Sequence, residues 1–251
     1  MKKFDDEKHT EVQSEDGSYT AYSSEYEEHY HSTKDGALKE SYKKHVIPAF
    51  RTLKSFDEVC ILDICYGLGF NTLCTILYFR ENSPQTKLKI YSPELDASLV
   101  RSLENFTYPE EFNTLRDIIN AISLDGVYED ETLYVEVFLG DAREYVRGFE
   151  AHFDVVYQDA FSPSTNPVLW TREHFADIAN AMLPHGVLTT YSIALPTRVA
   201  LHENGFKIYL NEGEDFRAAT IAAFRELEGF KRVDIEHKIA CNPEVKALRD
   251  R

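Results

Sequence analysis

A hydrophobic run that ends in an acid and then turns through two glycines, Val59-Cys-Ile-Leu-Asp-Ile-Cys-Tyr-Gly-Leu-Gly-Phe-Asn71, constrains this chain more than any other stretch. A strand buried on both faces reads as a near-continuous apolar run, and Val59 to Ile64 does so. Gly67 and Gly69 then permit positive φ and let backbone N–H groups approach a bound molecule. Asn71 to Phe79 has the composition of the following helix, stopped by Ser83-Pro84. Alone, a Gly-x-Gly turn also serves ordinary strand-to-helix connections.

The pattern continues downstream. Lys87 to Pro93 is a second strand that delivers Glu94, and Leu133 to Leu139 is a third that runs into Gly140-Asp141-Ala142 and a helix from Arg143 to Phe149. Phe153 to Gln158 is a fourth, presenting Asp159 ahead of a turn-rich loop, Ala160 to Pro167, and a helix from about Trp170 to Leu183. Gly186 to Ser192 is the fifth, followed by a helix with Pro196 in its first turn and Gly205 at its stop. Phe206 to Leu210 and Ala218 to Phe224 flank Asn211 to Asp215 as a closing antiparallel hairpin. The order predicts a doubly wound, Rossmann-like α/β sheet.

Such sheets bind ligands beyond the carboxyl ends of their strands, where strand order reverses. Asp63, Glu94, Asp141 and Asp159 all fall at or near that edge. One strand-end acid is commonly a helix cap; four together point to a site. An acid some 20 to 30 residues beyond a glycine turn is placed to accept both ribose hydroxyls. A Gly-Asp-Ala turn on the third strand sets a carboxylate against an exocyclic adenine amine. No Gly-x-x-x-x-Gly-Lys-Ser/Thr loop is present, and the turn lacks a third glycine, so S-adenosylmethionine fits better than a pyrophosphate-linked ligand.

At 251 residues and 43% apolar, the chain supports one sizeable core with an extension. The expected division is an N-terminal extension over residues 1–50 that packs on the core and the active-site entrance, a ligand-binding domain over 51–224 and a tail over 225–251. No apolar run approaches the roughly 20 residues a membrane span requires, and the polar Met1 to Asp6 lacks a signal-peptide core, so a cytoplasmic protein without membrane association is expected. Cys60, Cys65, Cys74 and Cys241 show no metal-like pairing, and core thiols in a reducing compartment are expected. A net charge of −16 argues against a global positive field for nucleic acid. The acids of Met1 to Glu15 read as a solvated surface. A local cationic face from Lys43, Lys44, Arg51 and Lys54 is compatible with this, whereas Lys231, Arg232 and Lys238 are interleaved with acids. Tyr19, Tyr22, Tyr26 and Tyr30 recur at helical spacing and predict an amphipathic segment covering the core. His29, His31 and His45 read as surface or lid histidines, with no metal pattern.

Asp154-Val-Val-Tyr-Gln-Asp-Ala-Phe-Ser-Pro-Ser-Thr-Asn-Pro-Val-Leu-Trp170 resembles the Asp-Gly-Phe-Ala-Pro-x-x-Asn-Pro-x-Met-Trp signature of the methyltransferase domain in the tRNA 5-methylaminomethyl-2-thiouridine biosynthesis (MnmC) family. Tyr66-Gly-Leu-Gly-Phe-Asn71 is similar to that family's Phe-Gly-x-Gly-Leu-Asn, and Gly140-Asp141 matches its Gly-Asp. Ser23 to Ser32, with Gly36 and Glu40, looks like its entry segment. The resemblance covers most of Tyr19 to about Phe224 and implies a class I methyltransferase fold, with the hairpin similar to that fold's reversed last strand. Cys65 and Ala160 stand where the family has glycines, and the chain lacks its basic Gly-Arg-Lys-Arg-like ending.

The resemblance implies a stand-alone methylating half, without the flavin oxidase domain to which the family is often fused. It would act on 5-aminomethyl-(2-thio)uridine in the tRNA anticodon, with a separate enzyme supplying the aminomethyl precursor. With the spacing argument, it gives the S-adenosylmethionine site as Asp63, Tyr66, Gly67, Gly69, Asn71, Glu94, Asp141 and Ala142. Asp159 is expected to orient the acceptor amine and take its proton. Phe161, Trp170 and Tyr191 would form a stacking wall, although Phe161 and Trp170 also suit packing anchors. Pro163 stiffens the loop, and Asn166 either bonds the uracil edge or makes a turn. Two rivals stay open. A spermidine-synthase-like aminopropyltransferase, or another small-amine methyltransferase, is the first; the aminopropyltransferase shares the acids but needs a second one shortly after Asp159, where Phe161-Ser162-Pro163 stands. A non-catalytic RNA-binding module is the second, with Cys65 as its best support and the retained acids against it.

Overall fold

In a computed structural model describing Phe4, residues 8–53 and residues 57–250, the apolar run of the opening turn becomes the axis of a large sheet. The chain enters through β1 (His9–Gln13), β2 (Tyr19–Ser23) and β3 (Glu28–His29), then α1 (Ala37–Glu40), a π-helical turn (Ser41–Val46) and α2 (Ile47–Thr52). There follow β4 (Glu58–Ile64), α3 (Phe70–Asn82), β5 (Lys87–Glu94), α4 (Ala97–Ser102), α5 (Arg116–Asp125), β6 (Val127–Glu129), β7 (Leu133–Leu139) and α6 (Ala142–Val146). The remainder is β8 (Phe153–Gln158), α7 (Arg172–Ala181), β9 (Met182–Thr190), α8 (Leu195–Glu203), β10 (Lys207–Gly213), β11 (Phe216–Ala223), β12 (Lys231–Arg232) and α9 (Ile235–Cys241).

Among the described residues, the main sheet runs β12-β10-β11-β9-β8-β4-β5-β7-β6. β4 pairs in parallel with both β5 and β8, so the chain steps outward through β5 and β7 and returns to the other side of β4. That reversal puts the ends of β4 and β8 at the topological switch point, where an open sheet leaves a crevice. β10 and β11 form the expected antiparallel hairpin, with β11 against β9. The sheet is the Rossmann-like class I methyltransferase arrangement.

Burial explains the continuous apolar strands. Ile61 and Val155 face the layer containing Phe70, Leu73 and Ile76 of α3, whereas Leu62 and Val156 face the layer with Trp170, Phe175 and Ile178. Both faces are covered, so neither strand has a solvent side to alternate toward. The residues expected as a tail add β12 to the sheet edge, and Arg172 N donates to Leu248 O. Cys60 and Cys74 are buried, Cys65 is partly buried and Cys241 is exposed; all four are free. No helix among the described residues is long and apolar enough to cross a membrane.

Three expectations are corrected. The tyrosine-rich segment is not a helix: β1, β2 and β3 form a separate antiparallel sheet, registered Thr10↔Tyr22 and Val12↔Thr20. The turn between them has Gly17 at φ 86° and Asp16 accepting from Ser18 N, and tyrosine and threonine suit a half-buried pleated surface. The cationic face does not assemble. Lys44 is buried on Glu40, Lys43 lies 3.8 Å from Asp215, Arg51 covers the Phe230 ring, and Lys54 lies outside the described residues. His31 and His45 are buried rather than on the surface, while His29 remains exposed. Part of Met1 to Glu15 likewise lies outside the described residues.

Candidate active site

A cavity of about 440 Å³ opens at the switch point, floored by the ends of β4, β5, β7 and β8 and roofed by residues of the three-stranded sheet. Its two halves are built from different loops.

The first half follows β4. Gly67 and Gly69 take φ of 54° and 76°, and a Cβ on Gly69 would lie 2.7 Å from the Tyr66 ring, so the turn requires glycine there. Cys65 adopts φ 67° without being glycine, a conformation that costs about 1–3 kcal/mol and persists only where its surroundings enforce it. Glu94 at the end of β5 braces this turn, accepting from Gly67 N and Asp96 N, each at 2.9 Å. Its burial raises its pKa above the ordinary value, against the pull of these backbone bonds. Asp141 caps α6, accepting from Arg143 N at 2.7 Å, while Gly140, Asp141 and Ala142 line the same cavity.

The second half surrounds Asp159. Its Oδ2 accepts from Asn71 Nδ2 at 2.7 Å, and its Oδ1 lies 3.4 Å from His45 Nε2. Burial would raise the pKa of this carboxyl, but the nearby imidazoles of His45 and His31 and the Asn71 amide outweigh it and hold Asp159 below the usual range. The adjoining loop is fixed by its backbone: Trp170 Nε1 donates to Phe161 O at 2.7 Å, and Tyr191 Oη donates to Ala160 O at 3.0 Å. The roof closes on it, with Tyr26 stacked on Phe161 at 4.7 Å and Ser162 N donating to Glu28 Oε2 at 3.0 Å. On the far side Lys8 and His9 lie 3.5 and 3.7 Å from Asp96.

Of the residues expected at the site, Tyr66, Gly67, Asn71, Glu94, Asp141, Ala142, Asp159, Phe161, Asn166 and Tyr191 line this cavity. Asp63 does not. It lies beneath the floor, accepting from Thr72 Oγ1 at 2.8 Å, and burial pushes its pKa up to about 7. Gly69 is spent on the turn geometry, leading into α3. Trp170 is fully buried and anchors the loop instead of stacking on a ligand, and Pro163 also stays out of the lining. Asn71, expected at the cofactor, bonds the acceptor-side acid. Sequence alone missed His45, Tyr26, Glu28 and Asp96, because their roles depend on contacts between distant segments.

The lining suits S-adenosylmethionine. Gly67 offers backbone without a Cβ, Glu94 and Asp141 supply strand-end acids on one cavity, and among the described residues Lys8 is the one lysine or arginine in the lining, paired with Glu25 at 3.0 Å. A cradle without free cations matches an adenosyl ligand that carries no phosphate. No group of three or more metal-ligating side chains assembles among the described residues.

Comparison with known proteins points to the same cofactor. Residues 113–226 match a family model described as S-adenosyl-L-methionine-dependent methyltransferase. An uncharacterized protein of Methanocaldococcus jannaschii is 30% identical over 222 residues, 87% of this chain and 60% of that protein. The tRNA 5-methylaminomethyl-2-thiouridine biosynthesis bifunctional protein MnmC of Azoarcus sp. is 30% identical over 211 residues, 77% of this chain and 32% of that protein. The chain therefore spans well under two thirds of the bifunctional relative. The crystal structure of MnmC2 from Aquifex aeolicus superposes with a TM-score of 0.83 at 28% identity, covering 98% of this chain and 80% of that one. A probable spermidine synthase from Corynebacterium glutamicum, at 17% identity and a TM-score of 0.55, shares the fold.

Proposed function

We propose that this chain, an S-adenosylmethionine-dependent methyltransferase domain of the MnmC-like family, methylates the aminomethyl nitrogen of 5-aminomethyl-(2-thio)uridine at the tRNA wobble position, giving 5-methylaminomethyl-(2-thio)uridine. The observation that carries the proposal is Asp159, a strand-end carboxylate fixed by Asn71 at 2.7 Å in the cavity that also contains the cofactor cradle.

When bound, S-adenosylmethionine supplies an electrophilic methyl group. The chain's task is to bring a nitrogen with a free lone pair to it, and an alkylammonium has none at neutral pH. Asp159 accepts the ammonium's hydrogen bond and takes one proton, directly or through a water. Glu28 adds negative charge to the lining, which favours a cationic acceptor. Phe161 and Tyr191 offer faces to a flat pyrimidine, and the Asn166 amide is available to its polar edge. The roof of β1 to β3 excludes water and holds the reactants close, from which much of the rate derives.

The partner in this proposal is the anticodon region of tRNA, in the cytoplasm, with another enzyme activity furnishing the aminomethyl group. Binding through phosphates requires weakening by salt. The test is incubation with tritiated S-adenosylmethionine and bulk tRNA from a strain lacking the methylase, followed by digestion to nucleosides. Label in 5-methylaminomethyl-(2-thio)uridine with the parent, and its loss with Asp159→Asn while S-adenosylhomocysteine still binds, is the expected result. Absence of label with intact cofactor binding would overturn the acceptor assignment and direct the search to polyamines.

A further inference from the structure

We propose that His45 is a positioning residue for Asp159: its imidazole edge, 3.4 Å from one carboxylate oxygen, together with Asn71 on the other, fixes the plane in which the carboxylate meets the acceptor's ammonium. The inference rests on the role given above to Asp159, which it deepens.

His45 is fully buried in the π-helical turn Ser41–Val46 and does not line the cavity. Single π turns within helices recur at functional sites because they displace one side chain from the regular helical path. Here the displaced imidazole meets two strands. Nδ1 lies 3.0 Å from Thr189 Oγ1 on β9, and Nε2 lies 3.4 Å from Asp159 Oδ1 just beyond β8. The Tyr157 ring packs edge-on at 5.5 Å.

A buried imidazole needs partners on both nitrogens. Nδ1 has the Thr189 hydroxyl within hydrogen-bond reach, whereas Nε2 makes no hydrogen bond and faces Asp159 Oδ1 at 3.4 Å, the polar atom this edge of the ring is aimed at. Were the slot only a packing site, phenylalanine or leucine would fill it without a polar cost. Asp159 is thus held from both sides, Oδ1 by His45 and Oδ2 by Asn71. The remaining lone pairs are left for the cavity. In the proton step an N–H bond of the ammonium breaks, its electron pair stays on nitrogen, and the proton passes to Asp159; His45 keeps its own proton throughout.

The charged and titratable groups facing His45 come from several elements. Besides Asp159 these are Asp63 from β4 and His31 after β3, and His31 in turn is acted on by Glu40 from α1 and Lys44 from the same π turn. A change in Asp159 on replacing His45 must therefore be read at Asp159 itself.

The experiment follows the Asp159 carboxyl by carbon-13 NMR in the full chain, together with methyl transfer to tRNA and S-adenosylhomocysteine binding. With His45→Phe, Asp159 should titrate at higher pH by about one unit, as expected on losing one charged or hydrogen-bonded partner. The value of kcat should fall by roughly tenfold to a hundredfold with KM and cofactor affinity within about twofold. His45→Gln, which keeps a polar edge near the Nε2 place, should recover most of kcat. Thr189→Val removes the far partner and should displace the Asp159 titration in the same direction, keeping the test valid if His45→Phe does not fold. An unchanged titration in the folded variants overturns the inference. If the parent fails to methylate tRNA, the acceptor assignment falls, while the titration still decides the link between His45 and Asp159.

Discussion

Asn71 Nδ2 lies 2.7 Å from Asp159 Oδ2 and 3.5 Å from Asp63 Oδ1, so one amide on the first turn of α3 stands between two strand-end acids. Both strands flank the switch point, and the amide joins the helix after the glycine turn to the acid proposed to serve the acceptor. Cofactor geometry and acceptor geometry are therefore coupled through a single side chain.

Replacing that side chain with the near-isosteric leucine keeps the volume and removes the donor. Asn71→Leu should raise the Asp159 pKa, lower kcat by about tenfold to a hundredfold and cost about 1–3 kcal/mol of stability, the usual penalty of a buried acceptor left unpaired. Steady-state kinetics and urea unfolding check both effects. A variant with parental kcat would show that Asp159 needs no support from α3.

Asp63 makes stability depend on pH with a definite sign. Burial raises its pKa to about 7 in the folded chain, against an ordinary value near 4. Below about pH 4 both states carry the proton and the group contributes no difference. Between about 4 and 7 the unfolded chain loses the proton while the folded chain retains it, so stability falls as pH rises, by at most about 1.4 kcal/mol per pH unit. Above about 7 the slope vanishes. Urea unfolding at about pH 5 and pH 8 should show a parental loss that is absent in Asp63→Asn, with the difference between the two proteins isolating this group from Asp159 and His31. Parallel curves would refute the assignment.

Glu94 has two duties that a pair of variants separates. It braces Gly67 through a backbone bond at 2.9 Å, and in the proposed site it would accept the ribose hydroxyls. Glu94→Gln keeps one acceptor oxygen for the turn and should weaken S-adenosylhomocysteine binding by about tenfold, the cost of one charged hydrogen bond. Glu94→Ala removes both backbone acceptors and should weaken it further, with a larger loss of thermal stability than Glu94→Gln, which keeps one of the two. Calorimetric titration gives the first result and melting curves the second.

The sheet was legible because its signals are local. The apolar run Glu58–Ile64 has one side chain layer on each face, and Lys87–Glu94, Leu133–Leu139 and Phe153–Gln158 fall where their composition ends in an acid. The four acids were visible as a set, yet not their division of labour. Asp63 lies beneath the floor because its side chain points toward Thr72 rather than the cavity, a matter of pleat and register that composition does not report. The roof was misread for a related reason. Tyrosines at positions 19, 22, 26 and 30 satisfy a helical period, but Ser14 to Ser18 forms a turn whose Gly17 and Asp16 favour a hairpin. His45 carried no sequence signal, since its partners Thr189 and Asp159 are more than a hundred residues away.

The roof itself is open to a direct test. It is fastened on the cofactor side by Lys8 and His9 at Asp96, and on the acceptor side by Glu28 at Ser162 N and by Tyr26 on Phe161. The sole tryptophan of the chain, Trp170, bonds Phe161 O and so reports on the loop at the second fastening. Glu28→Ala removes a charged acceptor from a backbone N–H, a loss of about 1.5–3 kcal/mol, and should raise the dissociation rate of S-adenosylhomocysteine by about tenfold or more. Trp170 emission should become more accessible to acrylamide in this variant and in Tyr26→Ala, since both free the loop that covers it. Because neither change touches Glu94 or Asp141, the cofactor on-rate should stay close to the parental value, which distinguishes a loosened roof from a damaged cradle. Unchanged dissociation together with unchanged quenching would mean that the three-stranded sheet holds the cavity closed through Asp96 alone.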